Sequence, residues 1–134
     1  MNGTFVFNTE MVRDQFDWGE IAWASRPQNT DSAQLAVLDV TITHGMGHDF
    51  HRHPDQEEMI YVLEGEIEQW IEKEKRILKP GDAVFIKKGI VHASFQRGAN
   101  PAHLLAILGP AVGDGGYAME DVSTEAPWNA LRTK

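Results

Sequence analysis

The chain lacks cysteine and long hydrophobic runs, and both absences narrow what it can be. Without cysteine, its 134 residues contain no disulfide bonds and no thiolate metal ligands. The longest apolar runs, 59–63 and 104–108, are far too short to span a bilayer. The N-terminus has neither a basic start nor a continuous apolar stretch, so it predicts no signal peptide. We therefore expect a cytoplasmic protein that does not bind membranes.

Basic residues are also scarce relative to acidic ones. Twelve Lys and Arg stand against twenty Asp and Glu, which gives a formal net charge of −8. Nucleic-acid binding requires clustered Lys and Arg, so this balance argues against it. The one basic cluster, 73–76, is interrupted by Glu74 and falls at a predicted hairpin turn. No linker-like segment divides the chain, and its length fits a single domain, 1–134.

Alternating apolar and polar residues predict β-strands along most of the chain. In 33–43 the apolar members of the alternation are Ala36, Leu38, Val40 and Ile42, which is typical of a half-buried strand. Further short strands are predicted at 58–64, 66–72, 83–86, 90–95 and 103–108, separated by turns that contain glycine or proline. Many short strands without an amphipathic helix predict an all-β sandwich or small β-barrel, with extended N- and C-terminal arms.

Three histidines and a glutamate stand at fixed distances from four glycines. The pattern is Gly45-x5-His51-x-His53-x4-Glu58-x6-Gly65, followed by Gly81-x7-Gly89-x2-His92. Successive side chains of a strand point to opposite faces, so His51 and His53 project the same way. Imidazole nitrogen together with carboxylate oxygen suits a first-row transition metal better than calcium or magnesium. The pattern therefore predicts a metal site inside a β-barrel.

Two segments that contain this pattern resemble the motifs of the cupin family. The stretch GMGHDFHRHPDQEEMIYVLEG is similar to the first cupin motif, and GDAVFIKKGIVHASFQ is similar to the second. The resemblance covers 45–96, about two-fifths of the chain. It implies a cupin jelly roll with His51, His53, Glu58 and His92 as the metal ligands. The chain departs from the family pattern at Lys87, where proline is usual, and at Gln96, where asparagine is usual.

Strand parity predicts which side chains share a cavity with the metal. Ile60 and Val62 follow Glu58 at steps of two, and Ser94 and Gln96 follow His92 in the same way. On the neighbouring predicted strand, Gln69 is expected to point inward. An apolar cavity with a few polar groups is typical of a small-molecule site. The alternative for Gln69 and Ser94 is a satisfied hydrogen bond in the core. His48 is interpreted as a surface-loop residue, with a supporting role at the metal as the alternative.

These observations predict a metal-dependent enzyme that acts on a small organic molecule. Four protein ligands leave one or two coordination positions for water, dioxygen or substrate. A dioxygenase-type oxidoreductase is the first choice, and an isomerase or decarboxylase is the second. The alternative is a cupin that binds a small ligand or metal without turnover. Iron, manganese, nickel and zinc all suit the donor set, so the sequence leaves the metal open.

Large apolar residues near the termini predict a homodimer. Five of these residues lie outside the motif region: Phe16, Trp18, Ile21, Trp23 and Trp128. If they were exposed, they would form an apolar surface that favours association with another protein. Cupins that resemble this chain often pair through terminal strands. The hypothesis is that both arms bury their tryptophans against a second copy of the chain. The alternative is that both arms pack on their own barrel.

Overall fold

Two antiparallel β-sheets face each other in this protein. The computed structural model describes residues 2–132. Within them lie eleven strands, numbered along the chain: β1 (Arg13–Phe16), β2 (Gly19–Ser25), β3 (Ala36–Ile42), β4 (Gly47–Arg52), β5 (Glu57–Glu64), β6 (Glu66–Ile71), β7 (Glu74–Leu78), β8 (Ala83–Ile86), β9 (His92–Arg97), β10 (Ala102–Gly109) and β11 (Glu120–Asp121). One sheet has the order β1-β2-β3-β10-β5-β8, and the other has the order β11-β4-β9-β6-β7.

Helical structure is limited to short pieces. The helix α1 covers Pro27–Thr30, and single 3₁₀ turns cover Asn8–Glu10 and Trp128–Ala130. Among residues 2–132, no helix reaches the length and apolar character that a bilayer crossing requires. The prediction of an all-β jelly roll is confirmed by the two sheets.

Alternation along the strands places the main core between the sheets. Ala36, Leu38, Val40 and Ile42 of β3 are all buried, whereas the residues between them are partly exposed. They pack with inward residues of β2, β5, β6, β8 and β10, including Trp23, Ile60, Val62, Ile67, Ile86, Leu104 and Leu108. Because the period of a strand is two, every second residue reaches this core, which explains why its members are dispersed along the sequence.

A second cluster lies on the opposite face of the β11-β4-β9-β6-β7 sheet. Its buried members are Phe50, Trp70, Val91, Ala93, Phe95 and Val122. The C-terminal segment covers this face: Trp128 lies 5.7 Å from Phe50 between ring centroids, and the Arg132 guanidinium lies 3.9 Å from the centre of the Phe95 ring. The C-terminal arm therefore packs on its own chain.

The N-terminal tryptophans are also buried by their own chain. Trp18 and Trp23 are 9% and 2% exposed and belong to the core between the sheets. The Trp23 indole N–H donates a hydrogen bond of 2.9 Å to Asp14. The expectation that a partner buries these residues is therefore corrected: β1 and β2 extend a sheet of the same barrel, because β2 pairs with β3. The homodimer itself stays a prediction.

Gly65 joins β5 to β6 at a position that accepts no side chain. Its φ is +72°, and a Cβ there would lie 2.5 Å from the Pro101 carbonyl oxygen. Gly81 has a φ of +92° but no atom within 4 Å of the corresponding point. Both positions favour glycine for conformational reasons, whereas only Gly65 is also enclosed by backbone.

These two glycines form a matched pair for a stability measurement. Gly81→Ala should lower the free energy of unfolding by about 1–2 kcal/mol, because alanine is strained at positive φ. Gly65→Ala should lower it by roughly 1–3 kcal/mol more, because the methyl group must displace the Pro101 backbone. Urea unfolding followed by tryptophan fluorescence measures both. Equal losses in the two variants would contradict the close approach of Pro101.

Candidate metal centre

The two sheets bring three histidines and one glutamate together in the interior. His51 lies on β4 and is paired with His92, the first residue of β9. His53 follows the end of β4, and Glu58 lies near the start of β5 in the facing sheet. A ligand atom from each of the three histidines lies within 4.8 Å of the others, as one metal ion would require. All four side chains are buried.

Backbone carbonyls fix the orientation of all three imidazoles. The Nδ1 atom of His51 lies 2.7 Å from the Asp49 carbonyl oxygen. The Nδ1 atom of His53 lies 2.9 Å from the Ala118 carbonyl oxygen, and that of His92 lies 2.9 Å from the Ile90 carbonyl oxygen. A carbonyl oxygen only accepts hydrogen bonds, so each Nδ1 must carry its proton and donate. In the neutral tautomer each Nε2 then holds a free lone pair. This arrangement is typical of histidines that ligate metals through Nε2.

Glu58 lies against two of these nitrogens. Its Oε1 is 2.8 Å from His92 Nε2 and 3.4 Å from His53 Nε2. Despite this proximity, Glu58 Oε1 and His92 Nε2 are buried atoms without a hydrogen-bond partner of suitable geometry. A carboxylate oxygen and a nitrogen lone pair repel each other, and burial makes that repulsion costly. A cation or a proton between them removes the conflict, so the residues present fit a metal ion.

The pKa shifts of Glu58 and His51 favour the protonation states that bind metal, whereas the raised pKa of His92 means that a metal ion must displace a proton there. Burial acts to raise the pKa of Glu58, but contacts with His53 and His92 outweigh it and hold that pKa well below its usual range. Burial, reinforced by His48 and His92, lowers the pKa of His51 well below its ordinary value. Burial also acts to lower the pKa of His92, yet the neighbouring Glu58 carboxylate raises it overall. At neutral pH, Glu58 is therefore ionised and His51 is neutral, as metal ligation requires.

A small cavity opens beside these four side chains. Its volume is about 40 Å³, and half of its lining residues are aliphatic, among them Ile21, Leu38, Val40, Ile42 and Leu104. Of the five side chains predicted to line the substrate site, Ile60 and Ser94 are part of this wall, whereas Val62, Gln69 and Gln96 are not.

Hydrogen bonds account for the two glutamines outside the cavity. Gln69 accepts a bond of 2.5 Å from the Ser94 hydroxyl and donates one of 3.1 Å to the Trp70 carbonyl. Gln96 accepts from the Gly45 N–H at 2.8 Å and donates to two carbonyls of the loop after β9. Strand parity predicted both side chains on the buried face, but their amide groups form hydrogen bonds with neighbouring groups of the protein and do not line the cavity.

Three aromatic residues beside the metal centre were missed or misplaced by sequence reasoning. His48 lies on β4, partly buried between the rings of Trp18 and His51, at centroid distances of 4.9 and 3.8 Å. The surface-loop interpretation of His48 is thus corrected, and burial lowers its pKa to about 4. The ring centroids of Tyr117 and His53 lie 5.6 Å apart, although Tyr117 is far from the motifs in the sequence. The large apolar residues around Trp18 indicated that this part of the chain is buried, but they did not indicate that it packs beside the metal centre.

Gln56 holds the loop that covers the metal centre. Its side chain is 2% exposed and donates bonds of 2.8 and 2.9 Å to the carbonyls of Pro110 and Gly116. Its Oε1 accepts the Ala118 N–H at 3.1 Å, and the Ala118 carbonyl in turn accepts the bond from His53. Gln56 therefore orients His53 through the backbone of Ala118. No spacing rule in the sequence indicates this role.

A family comparison identifies the fold and the motifs together. The model of the cupin domain matches residues 29–108, more than half of the chain. The chain belongs to the cupin family. Its resemblance to the two cupin motifs is thus confirmed.

Individual relatives cover different parts of this cupin. It is 34% identical to the pectin degradation protein KdgF of Dickeya dadantii over 82 residues, which are 60% of this chain and 74% of KdgF. It is 46% identical over 46 residues to the uncharacterised protein YdbB of Bacillus subtilis, a match that covers 34% of this chain and 41% of YdbB. The aligned region thus spans less than half the length of YdbB.

Solved cupin structures show the same fold at lower identity. KdgF from a Halomonas species superposes with a TM-score of 0.73 at 22% identity, and the match covers 84% of this chain and 98% of that one. An oxalate decarboxylase of Bacillus subtilis that contains Mn(II) centres superposes with a TM-score of 0.72 at 19% identity, covering 86% of this chain and 31% of that one. At these identities the likeness shows the fold alone.

Replacing Gln56 should weaken metal binding without removing a ligand. In Gln56→Met the Ala118 N–H loses its acceptor, so the carbonyl that orients His53 is no longer fixed. We expect the metal affinity to fall about 10–100-fold, as when a hydrogen-bonding partner of a ligand is lost. Competition with a chelator measures it.

Gln96→Met is the matched control, because Gln96 is also buried and also makes three hydrogen bonds to backbone atoms. This variant should be less stable than the wild type, but its metal affinity should stay within about threefold of the wild-type value. The hydrogen bonds of Gln96 fix a loop that is distant from the metal ligands. Equal losses of affinity in both variants would show that Gln56 acts only through overall stability.

Proposed function

We propose that this cupin is a metal-dependent enzyme for a small organic substrate that chelates the metal through two oxygen atoms, with a dioxygenase-type reaction as the first choice. The observation that carries the proposal is the pair of buried, unpartnered atoms, Glu58 Oε1 and His92 Nε2, beside the free Nε2 atoms of His51 and His53. His51, His53, Glu58 and His92 would hold a divalent iron, manganese, nickel or zinc ion. Such an ion supplies Lewis acidity or, for iron and manganese, one-electron chemistry.

The chain's own residues favour reaction with a small apolar molecule. The cavity beside the histidines, about 40 Å³ in volume, is large enough for a diatomic molecule. The aliphatic half of its lining accepts dioxygen, which is itself apolar. Glu58 brings a negative charge that partly offsets the charge of a divalent cation. Tyr117 and His48 form the polar part of the cavity rim, where substrate oxygens would pass.

A second candidate reaction needs no oxygen. The second choice is isomerisation or decarboxylation, and the 34% identity to KdgF, named for pectin degradation, supports a substrate derived from pectin. A ligand- or metal-binding module without turnover remains the alternative to both.

Metal content and oxygen consumption test the proposal together. Elemental analysis of purified wild-type protein should give about one transition metal per chain. His51→Ala should reduce this occupancy about tenfold or more, because it removes a ligand. His103→Ala is the control, since His103 is bonded to Asp39 and lies outside the metal centre.

Oxygen uptake with catechols, diketones and flavonols then separates the candidates. Uptake that disappears in His51→Ala and persists in His103→Ala supports the dioxygenase. Conversion without oxygen uptake supports the isomerase or decarboxylase, and tight binding without product supports the module. Equal metal content in wild type and His51→Ala would contradict a metal centre at these histidines.

A homodimer is the proposed assembly, and an apolar outer face of the larger sheet supports it. Met59, Tyr61 and Phe85 are 38%, 42% and 47% exposed there, and Leu105 and Ile107 of β10 pair with Tyr61 and Met59 in the same sheet. A two-fold axis would bury this face on both copies at once. The cytoplasmic location and the lack of a nucleic-acid partner stay predictions.

Light scattering tests the dimer. Wild-type protein should have twice the mass of the chain, and Phe85→Glu should be monomeric because it places a charge in the interface. Ile77→Glu, an exposed apolar residue of the other sheet, should leave the dimer intact. A monomeric wild type would contradict the proposal.

A further inference from the structure

An outer chamber of about 360 Å³ adjoins the metal centre. Trp18, His48, His51 and Tyr117 line both this chamber and the smaller cavity beside the metal ligands. These four side chains therefore form the partition between the two spaces. A molecule that reaches the metal from this side must occupy the chamber first.

Every charged side chain in the chamber lining is acidic. Asp17 comes from the turn between β1 and β2, Asp49 from β4 and Asp121 from β11. The Ser123 N–H donates to Asp121 at 2.8 Å, and hydrogen bonds from Ser123 lower the pKa of Asp121. Lys and Arg are absent from the lining of both spaces among residues 2–132. The carboxylates thus have no basic neighbour in the wall to neutralise them.

A bound metal does not reverse this charge. With Glu58 ionised, four carboxylates line the two adjoining spaces, and their formal charge exceeds that of one divalent cation. The three aspartates are exposed to solvent, so salt screens their potential, but at low ionic strength that potential extends over the mouth of the chamber. An anionic substrate would therefore be opposed on its way to the metal.

Most of the remaining wall of the chamber is aromatic, and Met46, Gly47 and Met119 complete it. The rings of Phe16 and Trp18 stack at 5.0 Å, and Trp18 stacks on His48 at 4.9 Å. Indole and phenyl faces attract planar rings and cations. The inner end of the path offers Glu58 Oε1 and His92 Nε2, both buried and unpartnered, at the place where a ligand is held.

We propose that the outer chamber selects neutral or cationic aromatic molecules with two adjacent oxygen donors, and discriminates against carboxylates. This inference rests on the proposed function, since it names the substrate class of the same site. It separates this cupin from enzymes whose substrate is an anion such as oxalate. The aromatic ring of the ligand lies against the exposed ring of Phe16, and the oxygen pair points past His48 and Tyr117 toward the histidines.

Three catechols that differ in charge test the inference. The zinc-loaded protein is titrated with dopamine, catechol and 3,4-dihydroxybenzoate at neutral pH and low salt, since zinc does not oxidise catechols. We expect dopamine to bind roughly tenfold or more tightly than 3,4-dihydroxybenzoate, with catechol between them. Calorimetry measures each dissociation constant.

A charge-matched pair of double variants distinguishes the effect of the chamber from intrinsic differences in affinity among the three probes. Asp49→Asn with Asp121→Asn removes two of the three chamber carboxylates while keeping the side-chain oxygens that accept backbone bonds. Asp31→Asn with Glu10→Gln removes the same charge outside both lining sets. The chamber variant should reduce the dopamine preference several-fold, and the control variant should leave it within about twofold.

Three results would overturn the inference: an anionic probe that binds as tightly as dopamine, chamber and control variants that change the preference equally, or a zinc-loaded protein that binds none of the probes. Each is distinct from a failure of the proposed function, which shows in the metal content of His51→Ala and in turnover. A metal centre with normal occupancy but no charge preference leaves the function standing without this substrate class.

Discussion

Three hydrogen bonds from imidazole Nδ1 atoms to backbone carbonyls are the constraint on which the metal centre depends. They assign the proton of His51, His53 and His92 to Nδ1 and leave each Nε2 as a lone-pair donor. Together with the Glu58 carboxylate, these donors are enclosed by an apolar wall, where electron-rich atoms repel each other strongly. Stability and metal binding are therefore coupled: a cation stabilises the folded chain, because it removes a repulsion that folding creates.

The sheets supply the rigidity that this arrangement needs. His51 and His92 are directly paired across β4 and β9, and Glu58 faces them from β5, whose neighbour β10 belongs to the central part of the core. The loop that carries Ala118 is less regular, and the buried side chain of Gln56 fixes it by three bonds. The ligands on strands are thus positioned by the backbone hydrogen bonds between paired strands, whereas the orientation of His53 depends on the buried side chain of Gln56.

The sequence was most informative where function follows from local periodicity. Alternation in β3 predicted its buried face correctly, and the spacing of the histidines and Glu58 named four side chains that the fold brings together. Parity also placed Gln69 and Gln96 on a buried face. It could not show that their amides bond to neighbouring groups, because a hydrogen-bond partner is a matter of three-dimensional contact rather than of period.

Other features depend on contacts between distant residues and leave little local signal. Gln56 meets its partners 54 to 62 positions later in the chain. The stack of Trp18 on His48 joins the N-terminal arm to the first motif, so the large apolar residues of that arm, attributed to a partner interface, serve their own barrel instead. The acidic wall of the outer chamber has the same origin: Asp17, Asp49 and Asp121 become neighbours only when β1, β4 and β11 are assembled.

Crystallography at the absorption edge of the bound metal would locate the ion among these side chains. One anomalous peak is expected at the convergence of His51, His53 and His92, with three Nε2 ligands at about 2.0–2.2 Å and a Glu58 oxygen at a similar distance. A peak ligated by Nδ1 atoms, or one located among the aspartates of the outer chamber, would contradict this expectation.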